Sequence, residues 1–504
     1  MSRVKRNLLA NFTGMGWTAL VGLACTPLYI KFLGIEAYGL IGFYIMLQTG
    51  LQILDFGLSP TMNREMARYS VLTDKAAEAR DFVRTLETCS WSAAMAIAAI
   101  VSLAAPPISI YWINSEWIPG HEIQRAVLVM GVLVALQLPL SFYQGGLLGL
   151  EHQVILNAFK IFMITLANGG AVVVLWRISP TITTFFGWQI LITAVHVILV
   201  RMYLWRILPS ADRPPRFDPS LIRNVWRFAS GMTGITVSAL VLTQMDKVIL
   251  SKLVSLRVFG YYTLAGVVAS SLYMIITPIF NAVFPRFSSL AATGSEEELA
   301  LLYHRSSQVM AVLVVPTAAV IALFSHDIAF LWTRNMDIAD NTSAIIRFLV
   351  IGTAVNGLMN TPYALQLSHG WTRIGLSINV ILIVLFIPSL LFMASRYGPV
   401  GAASVWMGLN LIYMAIGVPL THRRLLHGEA RNWFLYDVAF PLTGAILVAG
   451  LGRKLIYGSM PPLQAAAAIG CLLFLSVIAA ALAAPETRYW AFHQANLILP
   501  RLFK

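Results

Sequence analysis

Asp55, Lys160, His196, Asp246 and Lys247 are ionisable residues set within long apolar runs, and Arg64 and Arg286 stand at the ends of two more. A charge at the centre of an apolar layer costs roughly 2.5–3.5 kcal/mol, so such groups are expected to face a partner, a cavity or water. The carboxylates and the imidazole are suited to taking up a proton or a cation, which makes Asp55, Asp246 and His196 candidates for ion coupling. The lysines and arginines are suited to holding an anion. Gln48, Gln52 and Gln244 add polar strips beside them, so the expected cavity set is Lys247, Asp246, Lys160, Arg64, Arg286, Gln244, Gln48 and Gln52. Nothing accompanies these residues that would make them catalytic. There is no HExxH, no Walker loop, no GxSxG and no Cys pair. Cys25, Cys89 and Cys471 are scattered in or beside apolar runs and read as small hydrophobes, so neither a metal nor a cofactor is expected.

Asp246 and Lys247 interrupt the run LTQMDKVILSK after an uncharged stretch from Phe228 to Met245. Successive helical residues point about 100° apart, so the two are not expected to face each other. Asp246 has Leu242, Thr243, Ile249 and Leu250 at helical spacing. Its partner should therefore come from another helix, an ion, a proton or a substrate. Lys247 shares a face with Thr243, Gln244 and Ser251, a strip that suits a wet cavity better than lipid.

The elements that carry these residues follow from composition. Of the 504 residues 58% are hydrophobic and 11% charged, against about 25% charged in a soluble domain. The apolar residues come in runs long enough to cross a bilayer as helices. The net charge of +13 does not indicate nucleic acid, because the basic residues sit in short segments between these runs. Fourteen spans are expected, near 8–30, 39–62, 86–112, 125–148, 154–176, 182–204, 228–250, 259–284, 308–332, 344–367, 375–395, 398–420, 437–456 and 464–484. With the N-terminus inside, 24 of the 35 Lys and Arg residues lie on the inner side, which places both termini in the cytoplasm. MSRVKRNLLA reads as the flank of the first helix and not as a removed signal. The outer segments are short, leaving no room for an extracellular catalytic domain. The inner segments 63–85, 205–227, 285–307 and 421–436 read as longer loops, and Glu296–Glu298 as a solvated loop face. Gly145 and Gly149, at a span end, suit close helix packing.

The chain also repeats itself. At an offset of 221, Lys31 meets Lys252, Gly39 meets Gly260 and Leu51 meets Leu272, and near the same offset Gln144 meets Gln366 and Asn157 meets Asn379. Six spans separate the copies, so the halves share one orientation, as in transporters built from parallel repeats. The expected architecture is an all-α polytopic membrane protein. It has an N-terminal lobe at 1–205, a basic, proline-rich linker at 206–227, a C-terminal lobe at 228–420, and two extra spans with a tail at 421–504. The linker reads as an extended stretch followed by a short surface helix. Spans 1, 2, 7 and 8 are equivalent in the two copies and should line a central cavity.

LGIEAYGL at 33–40, LDFGL at 54–58, the basic end of the second span, and QMDKVILSKLVSLRVFGYYTLAGVV at 244–268 together resemble the polysaccharide flippases of the multidrug/oligosaccharidyl-lipid/polysaccharide transporter superfamily. The resemblance implies two six-helix lobes opening alternately to either side of the bacterial cytoplasmic membrane. It implies an undecaprenyl-pyrophosphate-linked oligosaccharide as cargo, for O-antigen, capsule or exopolysaccharide, and an ion gradient or membrane potential as the driving force. Lys247, Lys160, Arg64 and Arg286 would then meet the anionic cargo. Polysaccharide polymerase and assembly proteins are partners the resemblance leaves open. Three other readings stand beside it. They are a drug/cation antiporter of the same superfamily, which would favour acidic cavity residues, a flippase for the peptidoglycan precursor, and a membrane glycosyltransferase or ligase, which the short outer segments oppose.

Overall fold

A computed structural model describes residues 3–51, 57–72, 75–455 and 461–489, with the side chains of 3–9, 12, 51, 222–236, 239 and 372–378 outside that description. Every regular element among the described residues is helical, and one isolated bridge, Asn114 with Ser255, stands outside helix. The chain divides into two compact units, Met1–Gly260 and Tyr261–Lys504.

The first unit contains α1 (Arg3–Leu51), α2 (Leu58–Tyr69), α3 (Ala76–Pro107), α4 (Gly120–Gly149), α5 (Gln153–Arg177), α6 (Ile182–Ile207) and α7 (Pro219–Leu253). The helix α8 (Leu256–Ser270) begins within it. A π-helical turn, Ile108–Trp112, extends α3. The helix α4 is central, packing on α2, α3 and α6, while α1 packs on α5. Met62, Met66, Val83, Phe142, Tyr143, Leu147, Val200 and Leu204 meet in the core between these helices. The close packing expected of Gly145 and Gly149 is present. A Cβ at Gly145 would lie 2.5 Å from the Ser59 carbonyl, and one at Gly149 would lie 2.3 Å from the Asn63 carbonyl, both on α2.

The second unit continues with α9 (Tyr273–Thr293), α10 (Glu296–Leu323), α11 (Ser325–Thr333), α12 (Met336–Leu358), α13 (Asn360–Ser368), α14 (Thr372–Leu425), α15 (Ala430–Asn432), α16 (Phe440–Leu455) and α17 (Pro462–Ala483). A π-helical segment, Trp433–Ala439, joins α15 to α16. Here α10 is central, packed on α9, α12, α16 and α17. Val320 and Phe324 of α10 bury against Ala449 of α16 and Leu472 of α17.

Eleven helical stretches among the described residues are long and apolar enough to cross a bilayer, so the expected count of fourteen is not reached. Two of the eleven are long stretches interrupted by one glycine each. The helix α1 is broken at Gly34, with φ 83° and ψ 164°, and α14 at Gly398, with φ 57° and ψ −140°. Only glycine adopts such angles readily, so the chain changes direction there without a loop. The expected span near 228–250 falls within α7, largely on residues whose side chains are not described. The expected loops at 63–85 and 285–307 are mostly helical. Reading apolar length locates where the bilayer ends, and a helix can continue past that point into water. Glu296–Glu298 are exposed, as expected, but they form the first turn of α10, where the helix dipole favours negative charge.

The repeat has a structural counterpart. The Gly34 break in α1 and the gap between α7 and α8 stand about 221 residues apart, as do the starts of α3 and α10 and of α5 and α14 to within a few residues. Within the first unit, Gly39 and Gly260 make reciprocal contacts. A Cβ on Gly39 would lie 2.4 Å from the Leu256 carbonyl, and one on Gly260 would lie 2.3 Å from the Ile35 carbonyl. Residues 35 and 256 are themselves partners at the same offset, so this is a self-complementary contact of the kind a two-fold relation produces.

The linker is also fixed. Asp81 of α3 accepts hydrogen bonds from both terminal nitrogens of Arg213, Nη1 at 3.1 Å, and from the Arg216 backbone N–H at 2.7 Å. The Thr85 hydroxyl accepts the Asp218 N–H at 2.9 Å. The expected separate surface helix is absent, because Asp218 caps α7 by accepting from the Ser220 N–H at 2.9 Å, with Pro219 as its first residue. Hydrogen bonds from Ser220 hold the Asp218 carboxyl below its usual range. The helix then runs unbroken to Leu253.

Gly39→Ala and Gly260→Ala should each lower stability by about 1–3 kcal/mol, read as a lower melting temperature of the purified protein. Unchanged melting would contradict the reciprocal contact. Asp81→Ala should speed tryptic cleavage after Arg216 several-fold, and an unchanged cleavage pattern would show that Asp81 does not hold the linker.

Candidate functional site

Near the end of α7 the carboxylate of Asp246 is buried, at 5% exposure. The Lys247 Nζ lies 3.2 Å from Asp246 Oδ1 and 3.4 Å from Oδ2, and donates to the Thr243 carbonyl at 3.0 Å. The expectation that these neighbours cannot meet is therefore wrong. Their Cβ atoms do diverge by about 100°, but the flexible four-carbon stem of lysine folds the ammonium back across the turn. The Lys247 side chain remains 30% exposed, so one face of the ammonium is open to an anion. Beside it, the buried Gln244 Oε1 has no hydrogen-bond partner among the described residues.

The other expected residues are dispersed. Lys160 on α5 is half-buried and has no ion-pair partner among the described residues. His196 on α6 is buried, with Nε2 unpartnered, and is close enough to Lys160 for the two to interact electrostatically. Gln48 is half-buried on α1. Arg64 sits on the exposed face of α2, with its terminal nitrogen 2.6 Å from Glu65 Oε1. Arg286 lies on α9 in the second unit and is exposed. Gln52 and Asp55 lie outside the described residues. The structure thus joins Asp246 to Lys247, while Lys160 and His196 are neighbours in electrostatic range with no hydrogen bond between them among the described residues.

Two acidic residues that the sequence reading passed over hold the first unit together. Glu87, 2% exposed on α3, accepts through Oε1 from Tyr143 Oη at 2.6 Å, Arg201 Nε at 2.6 Å and Trp205 Nε1 at 3.3 Å, and through Oε2 from Arg84 at 3.2 Å. Glu36, in LGIEAYGL, accepts from the Ser115 hydroxyl at 2.7 Å and the Glu116 N–H at 2.7 Å, and so fixes the turn between α3 and α4. Glu87 falls beside the start of an expected span, where it reads as a solvated flank. Arg84, three residues before it, is the local signal, but Arg201 lies more than a hundred residues away. Glu87→Ala would strand the buried Tyr143 hydroxyl and the arginines, at a cost of about 2 kcal/mol. A melting temperature equal to that of the unaltered protein would show that the network is not structural.

The model of a family described as polysaccharide biosynthesis protein matches residues 30–333. The protein named "Putative O-antigen transporter" of Shigella flexneri is 23% identical over 408 residues, covering 81% of this chain and 94% of its own length. Among solved structures, the lipid II flippase MurJ in an inward closed conformation superposes with a TM-score of 0.71 at 12% identity, over 94% of this chain and 98% of that one. An inward-facing multidrug resistance MATE family transporter of the MOP superfamily superposes with a TM-score of 0.66 at 14% identity, over 82% of this chain and 96% of that one. This chain therefore belongs to the polysaccharide biosynthesis protein family and shares its fold with the solved lipid II flippase and MATE transporter structures.

Proposed function

We propose that the protein moves an undecaprenyl-pyrophosphate-linked oligosaccharide repeat unit from the inner to the outer leaflet of the bacterial cytoplasmic membrane. The carrying observation is the O-antigen transporter relative, which this chain matches along nearly the whole of that protein's length. The partly exposed side chain of Lys247 supports the reading, because an anionic pyrophosphate calls for a cation that its own partner has not fully enclosed. Alternating access between lobes at 1–205 and 228–420 would move the cargo, with both termini in the cytoplasm, and an ion gradient would drive the cycle. In this reading Asp246 sets the position of the Lys247 ammonium. The likeness to the lipid II flippase is one of fold and does not by itself change the cargo.

Lys247→Ala and Asp246→Asn should each abolish surface polysaccharide while the protein remains in the membrane at its normal level. Deletion of the gene should cause lipid-linked repeat units to accumulate in the inner leaflet, and their composition would name the sugar. Normal polysaccharide in both variants would remove the pair from the cargo site. Normal polysaccharide in the deletion strain would contradict the function itself.

A further inference from the structure

At one end of the second unit a cavity of about 300 Å³ is lined by His304, Gln308, Glu429, Asn432, Asp437 and Glu486, with apolar neighbours. Its deepest member, Asp437, is fully buried and lies on the π-helical segment. Asp437 Oδ2 is 2.6 Å from His304 Nδ1, and Oδ1 accepts from Gln308 Nε2 at 2.9 Å. The other ring nitrogen, His304 Nε2, lies 3.2 Å from Glu429 Oε2, at ion-pair distance though out of line for a hydrogen bond.

We propose that Asp437, His304 and Glu429 form a proton-binding site that couples proton uptake to transport. This rests on the reading of the protein as an ion-driven flippase. A neutral imidazole carries one N–H and one lone pair, so between two carboxylates it would present the lone pair to one of them. The arrangement is satisfied only when one extra proton is present, either as imidazolium or as a carboxylic acid. Removing that proton leaves two carboxylates facing one neutral ring in a poorly solvated place. The cavity opens onto Glu429 and His304, the more exposed members of the cluster, which gives a proton a route through the imidazole to the buried Asp437.

Among the nearby cations, Arg431 on α15 and Arg423 and Arg424 at the end of α14 are exposed, Arg424 lying over the Trp371 ring. Arg305 is engaged by Glu486, 3.1 Å away. Arg286, on the adjacent α9, is exposed and makes no ion pair among the described residues. The buried ring of His422 on α14 lies near His304 and Glu429, and its Nε2 has no hydrogen-bond partner. The ring of the buried Tyr303 stands edge-on to both histidines, with centroids 5.4 and 5.3 Å away. On α12 and α16 the charged residues Asp337, Asp340, Arg347, Arg453 and Lys454 belong to the far end of the unit, where Arg453 pairs with Asp327.

The site is also mechanically placed. Gln308 holds Asp437 through its amide nitrogen, and through its oxygen it accepts the Glu486 N–H at 2.8 Å and the Thr487 N–H at 3.3 Å, just beyond α17. Loading or unloading the proton therefore acts on the grip between α10, the π-helical segment and the end of α17. A π-helical turn inside a span is uncommon and is often retained at functional sites.

The test uses the full-length protein in liposomes, with lipid-linked oligosaccharide extracted from the deletion strain as probe. A gradient of one pH unit should change the initial flipping rate of the unaltered protein by up to about tenfold. Asp437→Asn and Glu429→Gln should lose that dependence, whereas Arg453→Gln, at the far end of the unit, should keep it. In parallel, infrared difference spectra of the purified protein across a pH step should show a carboxyl band that both cluster variants lose. Retained gradient dependence, or a carboxyl band unchanged in both variants, would overturn the proposal. If no variant and not even the unaltered protein flips the probe, the transport reading fails, and the infrared band alone decides whether the proton site exists.

Discussion

In the hydrocarbon of a bilayer a backbone N–H or C=O finds no water, so each must be satisfied within the chain. Helix is the solution this chain uses throughout its described residues. The same constraint explains how the helices turn. Gly34 and Gly398 redirect α1 and α14 with backbone angles that keep hydrogen bonding on both sides, so no polar loop is exposed. It also explains the glycines at contacts. Where Gly39 and Gly260 accept the carbonyls of Leu256 and Ile35 at near-backbone distance, close packing replaces the hydrophobic driving force that lipid cannot provide.

The constraint bears harder on charge, and the buried carboxylates meet it in different ways. Glu87 is enclosed by Arg84, Arg201, Tyr143 and Trp205, so its charge is fully answered by groups of its own unit. Asp81 is answered by the linker. Asp246 is answered in part by its sequence neighbour, whose ammonium keeps an accessible face. Asp437 has a histidine, whose charge depends on a proton. The first two arrangements are closed and structural. The last two are the arrangements on which the proposals rest, Lys247 toward an anion and Asp437 with His304 toward a proton.

The helical class, the duplication and the superfamily were legible in the sequence, because apolar length, a constant offset and short motifs such as LGIEAYGL report directly on spans and repeats. Helix ends were not. The turn between α9 and α10 occupies only Gly294 and Ser295, though charged residues on both sides read as a loop. Side-chain pairing was least legible. Helical geometry places the Cβ atoms of Asp246 and Lys247 apart, and only the flexible lysine stem brings the charges together. Arg201 and Trp205, which hold Glu87, and His304 and Gln308, which hold Asp437, lie on other helices more than a hundred residues away, where local spacing carries no signal. Glu36 was quoted as part of a motif without its task, which is to hold the turn after α3.

The most direct measurement of the central claim is leaflet exchange by the purified protein alone. Lipid-linked oligosaccharide placed in one leaflet of sealed liposomes would be followed with a membrane-impermeant reagent that modifies the exposed sugar. The account predicts that probe from the protected leaflet becomes reactive at a rate proportional to the amount of protein reconstituted. It also predicts that Lys247→Ala liposomes remain as slow as protein-free ones. A protected leaflet that stays protected when the unaltered protein is present, or equal rates for the Lys247→Ala variant, would contradict it.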